Sequence, residues 1–224
     1  DGESRVRASY GMADPEANVA VTPATNFRLA SVSKQFTAAG LLLLSEEGKL
    51  RLDDRLAQWL PSLPAGTRDV TLRHVLTHTS GLIDYEDVMP PTLTTQLSDQ
   101  DVLRIMETQD RTYFAPGTGY RYSNSGYVLL GLVIEMASGQ TFGEFLRQRI
   151  FEPLGMRNTV VHVETQTAVP HRAYGYSQEN GKWLRTDQSP TSATLGDGGI
   201  YSSIDDLARW DAALYDNRLL RSES

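Results

Sequence analysis

The chain has 224 residues, 40% of them hydrophobic, enough apolar material for one sizeable core or two small ones. Its formal net charge of -7 and the lack of any dense Lys/Arg stretch exclude a surface that tracks a phosphate backbone, so nucleic acid is not an expected partner. Cysteine is absent, which removes disulfides, Cys-ligated zinc and a thiol nucleophile, and the longest apolar run, residues 38–44, falls far short of the roughly 20 residues that cross a bilayer.

The sequence opens Asp1-Gly2-Glu3 with neither an initiator Met nor a charged-then-apolar leader, so its start is expected to be processed or trimmed. Residues 5–10 and 26–30 read as short strands separated by the turn-rich stretch 11–23. From Ser31 the pattern turns helical. Residues 31–49 carry Phe36, Leu41 and Leu44 among further Ala and Leu, are apolar around most of the circumference, and stop at Gly48. Helical segments follow at residues 52–60, 72–77, 98–108, 124–138 and 142–151. Strand signals return at 159–163, then at 173–176 and 182–185, which bracket the turn pair Asn180-Gly181 as a hairpin. After the Gly-rich segment 195–199, Ser203 caps a last helix with Asp206 three positions on, and Leu207, Trp210, Ala213 and Leu214 form its apolar face. Strands at both ends around a helical middle predict an α/β fold of the α+β type. Residues 1–50 and 160–224 would be parts of one α/β domain, and 51–159 a mainly helical domain.

In Leu29-Ala-Ser-Val-Ser-Lys-Gln-Phe36, Ser31 stands at the helix start and Lys34 follows three residues later, on the same helix face. A serine hydroxyl becomes a good nucleophile only when something takes its proton, and a lysine does so only if its ammonium has been made acidic. Burial and the partial positive charge of the helix N-terminus both act in that direction. The competing structural explanation makes Ser31 an N-cap and Lys34 a solvated surface residue. Against it, a lysine sits where a capping box wants Glu or Gln, and a cation in the first turn opposes the helix dipole. A second motif, Tyr122-Ser-Asn124, lies in a polar loop just before the apolar helix at 124–138. Its phenol would relay protons and its amide would hydrogen-bond both lysine and substrate. A rival match, Tyr215-Asp-Asn217, falls at the end of an amphipathic helix, where Tyr215 is expected to pack and Asn217 to help the chain turn.

Four blocks occur in order: Phe27-Arg-Leu-Ala-Ser-Val-Ser-Lys-Gln-Phe-Thr-Ala38, His74-Val-Leu-Thr-His-Thr-Ser-Gly-Leu82, Tyr122-Ser-Asn-Ser-Gly-Tyr127 and Gly198-Gly-Ile-Tyr-Ser-Ser203. Together they resemble the serine β-lactamase and penicillin-binding-protein superfamily, the group of class C β-lactamases, D,D-peptidases and esterases. The resemblance implies an antiparallel sheet flanked by helices plus a mainly helical insertion. It also implies that Ser31 attacks a carbonyl to form an acyl-enzyme, that Lys34 and Tyr122 share acid and base duties, and that Asn124 positions substrate. The segment holding Gly196, Gly198 and Gly199 would line the cleft. The family's third motif, a His or Lys followed by a small residue and Gly on a later strand, has no counterpart here, and the C-terminal strands are expected to be missing from this chain.

His74 and His78 would share a helix face if their helix persisted, but residue 75 is Val where a metalloprotease has its Glu, and His162 and His171 complete no ligand set. No metal or organic cofactor is expected. No phosphate-binding loop ending in Gly-Lys-Ser/Thr and no Gly-x-Ser-x-Gly elbow occurs. The expected partner is a small molecule or peptide: a β-lactam, an ester or a D-amino-acid peptide. The alternative is a catalytically silent penicillin- or peptide-binding sensor of the same fold. Tyr85, Tyr113, Phe114 and Tyr120 would either shape an acyl pocket or pack in loops. An extracytoplasmic location follows from the resemblance alone.

Overall fold

A computed structural model describes residues 6–221. Its elements in chain order are β1 (Met12–Asp14), β2 (Val19–Ala20), β3 (Phe27–Arg28), a 3-10 turn (Ala30–Ser33), α1 (Lys34–Glu46), α2 (Leu56–Trp59), α3 (Leu72–Leu76) and α4 (Tyr85–Val88). There follow α5 (Asp99–Glu107), α6 (Asn124–Ser138), α7 (Phe142–Leu146), β4 (Val160–Val161), β5 (Tyr176–Glu179), β6 (Lys182–Arg185), β7 (Ile200–Ser202) and α8 (Ile204–Ala213).

Helix α6 starts where the Ser123 hydroxyl accepts the Gly126 N–H at 3.0 Å and ends at Gly139, whose φ of 73° suits glycine. Every residue from Ser125 to Ile134 is buried, so the helix runs through the middle of the core. Helix α1 packs across it, and Gly40 makes the crossing close: a β-carbon there would lie 3.1 Å from Ile134 Cδ1. Helices α3, α5 and α7 complete the jacket around α6.

Three short strands form an antiparallel sheet in the order β3-β7-β4, with the fully buried β7 in the centre. Helix α8 ties this sheet to α1. Its Asp206, fully buried, accepts the Asn158 N–H at 2.7 Å, and the Thr159 N–H and hydroxyl at 2.9 Å each. Its Trp210 sits 4.4 Å from the Phe36 ring and donates to Gln35 Oε1 at 3.1 Å. Ser203 caps α8 through the Asp206 N–H at 3.3 Å, as its spacing predicts.

The mixed antiparallel and helical architecture agrees with the sequence expectation, while several boundaries move. No strand occupies residues 6–10, and Arg5 lies outside the described residues. The first strand is 12–14, because the Asp14 carboxylate accepts the Glu16 and Ala17 N–H groups at 3.1 Å each and sets the turn into β2. The predicted hairpin forms around Asn180-Gly181, with φ of 51° and 77°, but its first strand is 176–179, not 173–176. The two-residue turn demands that Glu179 face Lys182, and Tyr176 then faces Arg185. Tyr215 does not pack: it is 82% exposed beyond the end of α8.

Candidate active site

Strand β3 delivers the chain to Ala30, whose φ of 47° is unusual for a residue with a β-carbon. The backbone then tightens into the 3-10 turn that carries Ser31, and α1 begins at Lys34. Ser31 is exposed, and the turn's capping position is Leu29, with no side-chain cap bond. Lys34 is only 6% exposed. The explanation of Ser31 as a helix cap and Lys34 as a solvated residue therefore fails on both counts. Ser33, between them, anchors the turn by accepting the Ile200 N–H of β7 at 3.2 Å.

Lys34 Nζ reaches Ser31 Oγ at 3.3 Å, Asn124 Oδ1 at 2.8 Å and the Asp197 carbonyl at 3.0 Å. Three N–H groups thus meet three acceptors, which suits an ammonium. When the lysine is neutral, its lone pair can face the Ser31 hydroxyl and take its proton. The Tyr122 ring lies 4.8 Å from Nζ and the Tyr127 ring 5.6 Å. Tyr122 meets the lysine through its ring face and is 42% exposed, on the open side of the site.

Asn124 is held from both sides. Its main-chain N–H donates to Asp84 Oδ2 at 2.6 Å and its Nδ2 to Glu86 Oε1 at 2.9 Å, so Oδ1 is left facing the lysine. His78 stacks on Tyr122 at 4.5 Å and accepts the Ser123 N–H on Nδ1 at 3.1 Å. Burial, aided by the Lys34 charge, holds the His78 pKa below its ordinary value, which matches its acceptor role. His74 and His78 do not form a metal pair: α3 ends at Leu76, and His78 adopts a φ of 57°. Among the described residues no cluster of three or more His, Cys, Asp or Glu is arranged to hold a metal.

The floor is the segment 194–199, pinned by Thr37 Oγ1 donating to the Gly196 carbonyl at 2.6 Å and by the Leu195 N–H donating to Asp99 Oδ1 at 2.8 Å. Gly196 touches the α6 backbone directly, with Gly131 opposite, where an added β-carbon would stand 3.3 Å from Gly196 Cα. Burial drives the carboxyls of Asp99 and Asp197 above the ordinary carboxylate range.

The structure thus brings Ser31, Lys34 and Asn124 into one hydrogen-bonded set with Tyr122 beside it. Sequence reasoning did not find Asp84, Glu86 or Asp197 as individual residues, and it weighed a role for His78 only as one of a metal pair. The first two had a faint signal, an Asp followed by acidic residues at the start of a helix. Tyr85 is fully buried and Tyr113 donates to Asp87, whereas Tyr120 is 70% exposed.

The sequence matches the family described as Beta-lactamase across residues 1–224. It is 34% identical over 237 residues to penicillin-binding protein 4* of Bacillus subtilis (strain 168), covering all of this chain and 52% of that protein. The octameric penicillin-binding protein homologue from Pyrococcus abyssi superposes with a TM-score of 0.86 at 29% identity, over 100% of this chain and 52% of that one. The D-amino acid amidase from Ochrobactrum anthropi SV3, complexed with L-phenylalanine amide, gives a TM-score of 0.81 at 32% identity, over 96% of this chain and 62% of that one. The chain therefore spans between half and two thirds of these relatives' lengths.

Proposed function

The chain belongs to the Beta-lactamase family, and from that premise we propose that it is a serine hydrolase acting through an acyl-enzyme on a β-lactam, ester or D-amino-acid peptide carbonyl. One observation carries the reading: a nearly buried lysine nitrogen 3.3 Å from an exposed serine hydroxyl. In this reading neutral Lys34 takes the Ser31 proton as Oγ bonds to the carbonyl carbon. The proton passes to the leaving group, with Tyr122 as the relay at the open side, and water then releases the acyl group by the same route reversed. Asn124, fixed by Asp84 and Glu86, holds Lys34 in line and offers its amide to substrate.

Treatment with a fluorophosphonate probe followed by intact-mass analysis and peptide mapping is expected to place one adduct on Ser31, lost in Ser31→Ala. A folded chain that takes no adduct at any pH would instead support a silent binder of the same fold.

Glu86 favours one substrate class. It is an exposed carboxylate hydrogen-bonded to the Asn124 amide, so it adds negative charge beside a residue assigned to substrate and would attract a free ammonium carried by that substrate. That chemistry fits an amino-acid amide, the ligand type named for the amidase relative. Glu86→Gln is expected to raise KM for an amino-acid amide about tenfold, the size of a charge-assisted hydrogen bond, and to leave a neutral ester unchanged. An equal loss on both substrates would mean that Glu86 acts only by orienting Asn124.

A further inference from the structure

Beneath Lys34, the Asp197 side chain has no part in the mechanism above. It is 6% exposed, and its Oδ1 is buried without a hydrogen-bond partner among the described residues. A carboxyl in such a place is costly to ionise unless a compensating charge is close. The groups that face it are Lys34 from α1, Arg28 from β3, Tyr85 from α4 and Asp99 from α5, with the Thr194 hydroxyl from its own segment. Arg28 is the weaker counter-charge, its Nη2 donating to the Ser192 carbonyl at 3.4 Å. Tyr85 leaves its own buried hydroxyl unpartnered, and Asp99 is spent on the Leu195 N–H. Lys34 is left as the principal counter-charge, and Asp197 already grips it through the main chain, its carbonyl accepting from Nζ at 3.0 Å.

We propose that Asp197 is a positioning residue for Lys34, its buried carboxyl setting how readily the lysine exchanges its proton with Ser31. The inference rests on the acylation reading for what the pair accomplishes, whereas the coupling between the two groups belongs to the folded chain alone. As a carboxylate, Asp197 stabilises the Lys34 ammonium and makes the lysine a weaker base. As the neutral acid, which burial favours, it frees the lysine to take the hydroxyl proton. The influence must be reciprocal: whatever the carboxylate does for the lysine charge, the lysine charge does for the carboxylate. The surrounding ionisable groups, Asp99 and Tyr85 on the Asp197 side and Asp84, Glu86, Tyr122, Tyr127 and His78 on the lysine side, set the background on which this pair titrates.

Two measurements test it. Carbon-13 NMR of aspartate-labelled protein would follow the Asp197 carboxyl with pH, the resonance being assigned by its disappearance in Asp197→Asn. Lys34→Met is expected to raise the pH at which that resonance titrates by at least about half a pH unit, roughly threefold in proton affinity. In the second measurement, Asp197→Asn is expected to move the acid limb of Ser31 phosphonylation to lower pH by a similar amount, and Asp197→Glu to restore it. An Asp197 resonance indifferent to Lys34→Met overturns the proposal. So does an Asp197→Asn variant that is slower at every pH with its acid limb unmoved, the mark of a merely structural residue. If wild-type Ser31 takes no probe, the acylation reading fails and the NMR measurement still decides the coupling.

Discussion

Lys34→Met is expected to slow phosphonylation of Ser31 by about 10² to 10⁴-fold, the range over which a positioned general base contributes. Methionine keeps the length and apolar stem of lysine at a position that is 6% exposed, so the helix start should hold its shape while losing the nitrogen 3.3 Å from Ser31 Oγ. Lys34→Arg is not expected to rescue the rate. A guanidinium stays protonated and has no lone pair to accept the hydroxyl proton. The rate is read from the growth of the adduct mass under excess probe, with circular dichroism to confirm that both variants fold. A Lys34→Met rate within threefold of wild type would remove the lysine from the chemistry and leave Ser31 activated by something else.

The largest loss of stability is expected at Asp206. Its carboxylate, with no solvent exposure, satisfies two main-chain N–H groups and the Thr159 hydroxyl, and pairs with Arg209 at 2.7 Å. Asp206→Ala takes from the Asn158 N–H its acceptor among the described residues, leaves the buried Thr159 N–H with just the long 3.4 Å bond to the Met156 carbonyl and its hydroxyl with Ser202 Oγ, and breaks the link between α8 and the start of β4. Removing one partner from a buried, hydrogen-bonded charge destabilises by about 3–5 kcal/mol. For a chain of this size that corresponds to a Tm lower by roughly 6–20 °C. Urea unfolding should show the midpoint falling with an unchanged slope. A loss below about 1 kcal/mol, the size expected for a surface ion pair, would mean that α8 is held by its Trp210 contact alone.

What the sequence made legible follows the range of the forces involved. Helix α6 was readable to the residue because its start, its apolar run and its closing glycine are contiguous, and each acts over one turn of backbone. The Asn180-Gly181 hairpin was readable for the same reason, although its first strand could be placed only once the turn geometry fixed the pairing. Ser31 and Lys34 were found because their spacing is local. The partners that complete the site were not: Asn124 lies 90 residues from Lys34 and Asp197 lies 163. Asn124 was reached through a second motif, whereas Asp197 carries no mark of its own in a glycine-rich stretch that was expected, as a whole, to line the cleft. The first strand was misplaced because Val6 and Tyr10 alternate like a strand, yet both are largely exposed and the Asp14 turn draws the pairing further along the chain.

The meeting of Gly131 and Gly196 bears on how this chain tolerates change. At Gly196 a β-carbon would overlap the Tyr127 carbonyl oxygen, and at Gly131 it would press on the floor segment itself. Both obstacles are main chain, which has no alternative rotamer to adopt. In a mutagenesis library these two positions should therefore come back almost invariant, although neither side is part of the chemistry. Diversity will collect along the rim, at exposed positions without a part in the chemistry such as Tyr120, so new substrate preferences can be sampled there while the floor that carries the Asp197 carbonyl stays fixed.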